Sequence, residues 1–417
     1  MLITQRTLIS KTLIILFFIS YFIPTFTSYD RMANQWFYLI IISILSSLFI
    51  FLDKSVHQKI KFIIKEKEIL SFFLFIIWAL ISILYSFNKP EAIVTFNQYF
   101  TVFVCFLVIR ILLTNITGAI DFILKIFLFA LLFEVILSII PILNDIENGT
   151  LEYRSIKYLG AAANVNITAY SLLYKTPILL YFFTKEKKLF LRIIYLLAFV
   201  SILLIITVLG TRSAFISVGV LVVSYIIYII QINIKKKYKI QNILFVILSI
   251  LFIVVISNRI SEKGSDFISR ASSISINTSD GSVEQRLRYY KTGVNFFLEN
   301  PLIGTGIGNW KIFSIKYDKT HIDGYIVPYH AHNDLIQLLV ELGALGLFLY
   351  LLFIFFSIRK LFRFDLFNDK INYLFMGIVG IYFIDSMLNF PIARPISQIF
   401  LIFFISLISM YKDKPHA

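Results

Sequence analysis

Apolar runs of about 18 residues or more recur from one end of the chain to the other, and each can cross the ~30 Å of hydrocarbon in a bilayer. Hydrophobic residues make up 59% of the 417 positions and only 15% are charged, far from the balance of a water-soluble domain. The expected class is an all-α polytopic membrane protein. Spans are predicted at about 8–27, 36–52, 69–86, 93–113, 119–143, 163–184, 190–209, 213–231, 242–257, 334–358, 370–388 and 395–411. About twelve helices follow, with both termini on one side. Nine helices occupy 1–256, a large extracytoplasmic loop 257–333, and three more helices 334–417. Arg6 and Lys11 precede the first run in the manner of a signal peptide, but no small-residue cleavage site follows, so the run reads as an uncleaved span. The single cysteine, Cys105, lies inside an apolar run and can form no disulfide within the chain.

The net charge of +15 invites a nucleic-acid partner, and its distribution argues against one. Lysines and arginines gather in alternate loops: Lys54 to Lys67, Lys185 to Arg192, Lys235 to Lys239 and Arg359 to Lys370. The intervening short loops carry only scattered bases such as Arg31, Lys89, Arg154, Lys157, Arg212 and Arg394. This asymmetry is the positive-inside pattern, and it predicts cytoplasmic termini. The long loop then falls on the outer face.

That loop contains His321, His330 and His332. Ser269 to Ser282 reads as irregular, being rich in Ser, Asn, Asp and Gly. From Val283 to Leu298 the spacing of Leu287, Tyr290, Val294 and Phe297 predicts an amphipathic helix, ended by Asn300-Pro301. Gly304-Thr305-Gly306-Ile307-Gly308 predicts a tight turn. It is not a dinucleotide fingerprint, because no strand precedes it. Asp334 with Gln337 three residues on predicts a helix start, leaving His330 and His332 just before the first turn. Imidazole exchanges protons near neutral pH, so a pair at a membrane mouth suggests proton transfer there. Gly210-Thr211-Arg212-Ser213 makes a helical hairpin that places Arg212 at the same outer interface, where Arg154 and Arg394 also fall. Arginine suits bidentate capture of phosphate oxygens and keeps its charge. Anchoring by snorkelling is the competing role for such helix-end arginines. Lys125, Glu134, Lys175 and Asp385 fall in or near the ends of apolar runs, where structural pairing or snorkelling is the expected explanation.

Three segments carry a family resemblance: Gly210 to Phe215, Arg286 to Asn309, and His330 to Leu347. His332-Asn333, nine residues, then Gly343-Ala344-Leu345-Gly346 resembles the histidine and Gly-x-x-Gly pattern of the bacterial O-antigen ligase and polymerase superfamily. The resemblance runs from about Arg154 to Gly346, departing from many ligases at Leu347 and Phe348. It implies a GT-C-like architecture and a glycosyltransferase of the bacterial inner membrane, with its site facing the periplasm. The implied partners are an undecaprenyl-diphosphate-linked glycan donor and a lipid A-core or growing-glycan acceptor. It further implies Arg212 and Arg286 on the diphosphate and His332 as the base on the acceptor hydroxyl, with inversion. His330, Arg288, Arg394 and Arg154 are secondary candidates. No metal or cofactor is expected, since the outer side shows no tight Asp/Glu/His cluster. A polymerase or a protein O-oligosaccharyltransferase differs in acceptor alone. A flippase is the reading from another class, and transporters tend to show internal repeats and midplane charges that are not evident here.

Overall fold

The computed structural model describes residues 3–23, 32–53, 56–160, 162, 164–261, 281–319, 327–362 and 370–410. No strand occurs among them. The chain forms α1 (Ile3–Ile19), α2 (Ala33–Leu52), short α3 (His57–Ile63), α4 (Lys67–Tyr85), α5 (Lys89–Leu113) and α6 (Ala119–Glu147). It continues through α7 (Val165–Lys185), α8 (Leu189–Leu209), α9 (Arg212–Gln231) and α10 (Lys236–Ser261). Then come α11 (Gly281–Glu299), α12 (Trp310–Tyr317), α13 (Asp334–Ile358), α14 (Asn372–Leu388) and α15 (Pro395–Met410).

Each expected span falls on a helix. Nine of the described helices are long and apolar enough to cross a bilayer. α14 and α15 are apolar but shorter, and α7 carries Lys175 and Pro177 within its length. These helices fit a multi-pass membrane protein. The first helix ends earlier than expected, at Ile19, and a single 3-10 turn continues to Phe22. α10 runs past the expected loop start to Ser261. Most of the predicted irregular stretch, and His321, lie outside the described residues.

Local chemistry sets the helix ends. Asn88 and Asn164 cap α5 and α7 by accepting from Glu91 and Asn166 amides at 3.3 and 2.8 Å. Gly210 adopts φ 57 at the end of α8, which lets α9 begin two residues later as the predicted hairpin. Of the two expected explanations for these charges, pairing holds for those inside the bundle. Lys175 Nζ lies 3.1 Å from Glu134, and Asp385 accepts from Asn389 at 2.7 Å and from the Tyr174 hydroxyl; Lys125 pairs with Asp121 at 2.7 Å on the exposed face of α6. Removing either member of the buried Lys175–Glu134 pair strands a charge in the bundle.

α11 is the amphipathic helix, but its buried stripe is not the predicted one. Leu287 and Val294 are exposed, while Tyr289, Gly293 and Phe296 face inward against Trp310, Phe313, Ile336 and Val340. A Cβ on Gly293 would sit 2.9 Å from Ile336. The real interface is centred on a residue with no side chain, which a count of apolar residues cannot register.

α13 packs on α4 and α14 packs on α9. In the second pair Gly377 meets Ser224 and Gly380 meets Val220, an antiparallel register. Extended along both helices, that register brings Arg212 level with the end of α14. The turn after α14 is held to the start of α13 by Asp334, so Arg212 lies at the end of the bundle that holds His330 and His332.

Candidate active site

Asn333, not Asp334, caps α13. Its extended backbone turns Oδ1 back to accept from the amides of Leu335 and Ile336 at 3.0 and 3.1 Å. Asp334, one residue later, is buried and faces inward. Its Oδ2 accepts from Ser386 Oγ at 3.1 Å and from the Ile392 amide at 3.2 Å. One carboxylate thus holds the end of α14 and the turn beyond it to the start of α13. The residue before the cap, His332, has φ 55, a left-handed conformation that costs a non-glycine residue about 1 kcal/mol or more. It is held there by its carbonyl, which lies 2.9 Å from the Tyr290 hydroxyl; the same hydroxyl is 3.0 Å from the Met387 carbonyl.

Both imidazoles meet one aromatic ring. His330 stacks on Phe390 with centroids 4.3 Å apart, and His332 meets it nearly edge-on at 5.1 Å. The Arg394 guanidinium lies over the same ring, 4.0 Å from its centroid. Burial, then the charges of Arg286 and Arg394, lowers His332 to about 4. Burial also lowers His330, to about 3, helped by Arg394, His332 and Lys311 and opposed by Gln337. Both rings are therefore neutral at pH 7, each with a nitrogen lone pair free to accept a proton, and Nδ1 of each is buried without a hydrogen-bond partner among the described residues.

The candidate arginines divide. Arg286 acts on His332, Tyr290 and Tyr170, which places it among them. Arg288, two positions on and on another face of α11, is committed to Asp318, with Nε 3.0 Å from Oδ2. Ser213, beside Arg212, meets the same Tyr170 hydroxyl that senses Arg286. The Arg154 amide donates to the Val208 carbonyl at 3.1 Å, four residues before Arg212. Arg212, Arg286, Arg394 and Arg154 thus converge on the histidine end, while Arg288 serves the loop fold.

The Gly-x-x-Gly segment has a structural meaning. α13 is broken at Gly343 (φ 65, ψ −171), so the carbonyls before it lose their helical donors. The glycine turn supplies replacements: Thr305 and Gly306 amides donate to the Val340 and Glu341 carbonyls at 2.9 Å, and Trp78 Nε1 donates to Leu342 at 2.9 Å. A Cβ on Gly304 would lie 2.3 Å from the Val340 oxygen and one on Gly343 2.4 Å from the Leu302 oxygen, so the two backbones approach this closely only because both residues are glycine. The turn's other amides hold the fully buried Glu341 side chain. Gly308 and Trp310 donate to its two oxygens at 2.8 and 3.0 Å. Gln337 joins them at 3.2 Å, and its own carbonyl accepts from the Ala331 amide between the two histidines at 3.3 Å. The glycines form a turn, as expected, and the anion it cradles is the protein's own carboxylate.

Beside this cluster a cavity of about 430 Å³ runs among α13, α14 and α15. It extends from Leu335 and Ser386 at the histidine end toward Leu361 and Phe362, and its walls are almost wholly apolar. No group of three or more His, Cys, Asp or Glu placed to hold a metal occurs among the described residues. Sequence reasoning missed Phe390, Asp334 and Glu341 as parts of the site. The two acids carry a legible signal, a carboxylate within an apolar run, whereas Phe390 is one of 44 phenylalanines.

Residues 197–351 match the family model described as O-antigen ligase. The matched region takes in Arg212, Arg286, both site histidines and the helix break, and stops short of Phe390 and Arg394. The match supports placing the chain in the O-antigen ligase and polymerase superfamily, and with it a glycosyltransferase-like enzyme acting on lipid-linked glycans in a membrane. No curated protein matches the chain.

Proposed function

We propose that the chain is an O-antigen ligase, moving a glycan from an undecaprenyl-diphosphate carrier to a lipid A-core hydroxyl at the outer face of the bacterial inner membrane. The observation that carries this reading is the meeting of two neutral imidazoles with Arg286 and Arg394 at one end of an apolar bundle. Arg212 and Arg286 bind the diphosphate, with Arg394 and Arg154 beside them. The adjoining apolar cavity suits the isoprenoid chain.

In the reaction the acceptor oxygen attacks the anomeric carbon, and the bond from that carbon to the diphosphate oxygen breaks with inversion. The hydroxyl proton passes to His332, and the diphosphate leaves with the bonding electrons. Fixed guanidinium charge stabilises that leaving group. The same charge couples binding to catalysis. A bound diphosphate offsets the positive field of Arg286 and Arg394, so His332 becomes a stronger base once the donor is in place.

Gel analysis of surface glycans from a deletion strain tests the assignment. A ligase predicts loss of the glycan ladder from lipid A-core with lipid-linked polymer retained. A single repeat unit left on the core identifies a polymerase, and an unaltered lipopolysaccharide with altered glycoproteins identifies a protein O-oligosaccharyltransferase. With purified protein and a lipid-linked glycan, transfer is expected to survive excess EDTA at its full rate. A requirement for added Mg²⁺ or Mn²⁺ overturns the arginine account of the leaving group.

A further inference from the structure

We propose that Phe390 is a positioning residue whose ring sets the placement of His330, His332 and Arg394 relative to one another. As a statement about catalysis, this rests on the function proposed above. One ring touches all three side chains: a stacked imidazole at 4.3 Å, an edge-on imidazole at 5.1 Å and a guanidinium at 4.0 Å. Each contact has a geometric preference. Parallel stacking fixes the plane of His330, the ring edge orients His332, and the quadrupole holds the cation over the face.

The ring itself sits on a clamped turn. Asn389, just before it, donates from its backbone amide to the Asp385 carbonyl and from its side chain to the Asp385 carboxylate, both at 2.7 Å. Just after it, the Ile392 amide is held by Asp334, and the Ala393 amide donates to the Phe390 carbonyl at 3.2 Å. A side chain anchored on both flanks can transmit position, because its own backbone has little room to move. The charged and polar groups facing the imidazoles come from four elements: Arg286 of α11, Lys311 of α12, Gln337 of α13, and Arg394 beyond α14; Tyr290 of α11 holds the His332 carbonyl. Phe390 is the apolar surface on which the two histidines meet Arg394.

The test compares Phe390→Leu, Phe390→Met and Phe390→Tyr in full-length protein in nanodiscs. If the ring positions the site, Leu and Met lower kcat roughly tenfold or more at a nearly unchanged donor KM, while Tyr stays close to wild type. A residue needed only for volume gives the reverse order, with Met and Leu tolerated, and overturns the proposal. NMR of the imidazoles supplies a readout that needs no turnover. Leu and Met are expected to move both imidazole titrations up toward the ordinary value near 6.5, a change that loss of the ring current alone does not produce. Unmoved His330 and His332 titrations in Leu and Met overturn the proposal whatever the activity. Should wild-type protein transfer no glycan, the assigned function fails, and the NMR comparison still decides for or against Phe390.

Discussion

Replacing His332 with alanine is expected to reduce glycan transfer by roughly 10²- to 10⁴-fold, the range over which a positioned general base acts. Protein level and donor KM should change little, because the guanidiniums that bind the diphosphate remain. Arg212→Ala and Arg286→Ala should instead raise the donor KM and slow departure of the leaving group. Full transfer by His332→Ala in membranes with normal protein levels rules out this assignment. The pH profile gives a sharper check. In the free protein His332 titrates near 4, so kcat/KM should stay flat through neutral pH and fall only as pH approaches 4. The kcat limb reports the donor complex, where a bound diphosphate offsets the arginine field, and should lie at higher pH. Coincident limbs contradict the coupling of donor binding to base strength. The same shifts affect folding in a defined direction. The unfolded chain takes up protons on these histidines below about 6.5, which the folded chain refuses until about 4 at His332 and about 3 at His330. Their contribution is intact above 6.5 and is lost as pH falls through that window.

The largest expected effect on stability lies at Glu341. Glu341→Ala leaves the Gly308 and Trp310 amides and the Gln337 side chain without their acceptor in a fully buried place. Each unsatisfied donor costs about 1–3 kcal/mol, so a loss of about 3 kcal/mol or more is expected. Glu341→Gln is nearly isosteric and should still fail, because its amide group points a donor at donors. Thermal denaturation in detergent measures the loss, and limited proteolysis should find cleavage in the Pro301–Asn309 turn. Glu299→Gln, exposed at the end of α11, serves as the control and should match wild type. Wild-type stability in Glu341→Gln shows that the carboxylate is not what holds the turn. Because Gln337 ties this lock to the Ala331 amide, a partly stable variant should also lose transfer through displacement of the histidines.

The helical class, the placement of the helices, the hairpin at Gly210 and the turn at Gly304 to Gly308 were all legible in the chain. Each depends on local facts: apolar run length, the conformational freedom of glycine, the missing amide of proline. The residues matched by resemblance, Arg212, Arg286 and His332, also gather at one end of the bundle. Helix-end position is readable wherever the span is. The start of α13 at Asp334 was legible as well, whereas its cap, Asn333, was not, since Asn and Asp are near-equal capping residues and only the inward turn of Asp334 separates them. The stripe of α11 was misread because its closest contact is made through Gly293.

What the sequence determined alone is that this chain crosses a membrane many times and carries histidines and arginines near one surface. Tertiary structure decided which of them meet. Arg288 went to Asp318 while Arg286 faced His332, a choice made by the rotation of one helix against its neighbours. Phe390 and Arg394 lie some sixty residues beyond the histidines, and reach them only because Asp334 holds the turn after α14 against the start of α13. Contacts between distant segments depend on packing and on hydrogen bonds to buried backbone, and neither leaves a periodic trace in the sequence.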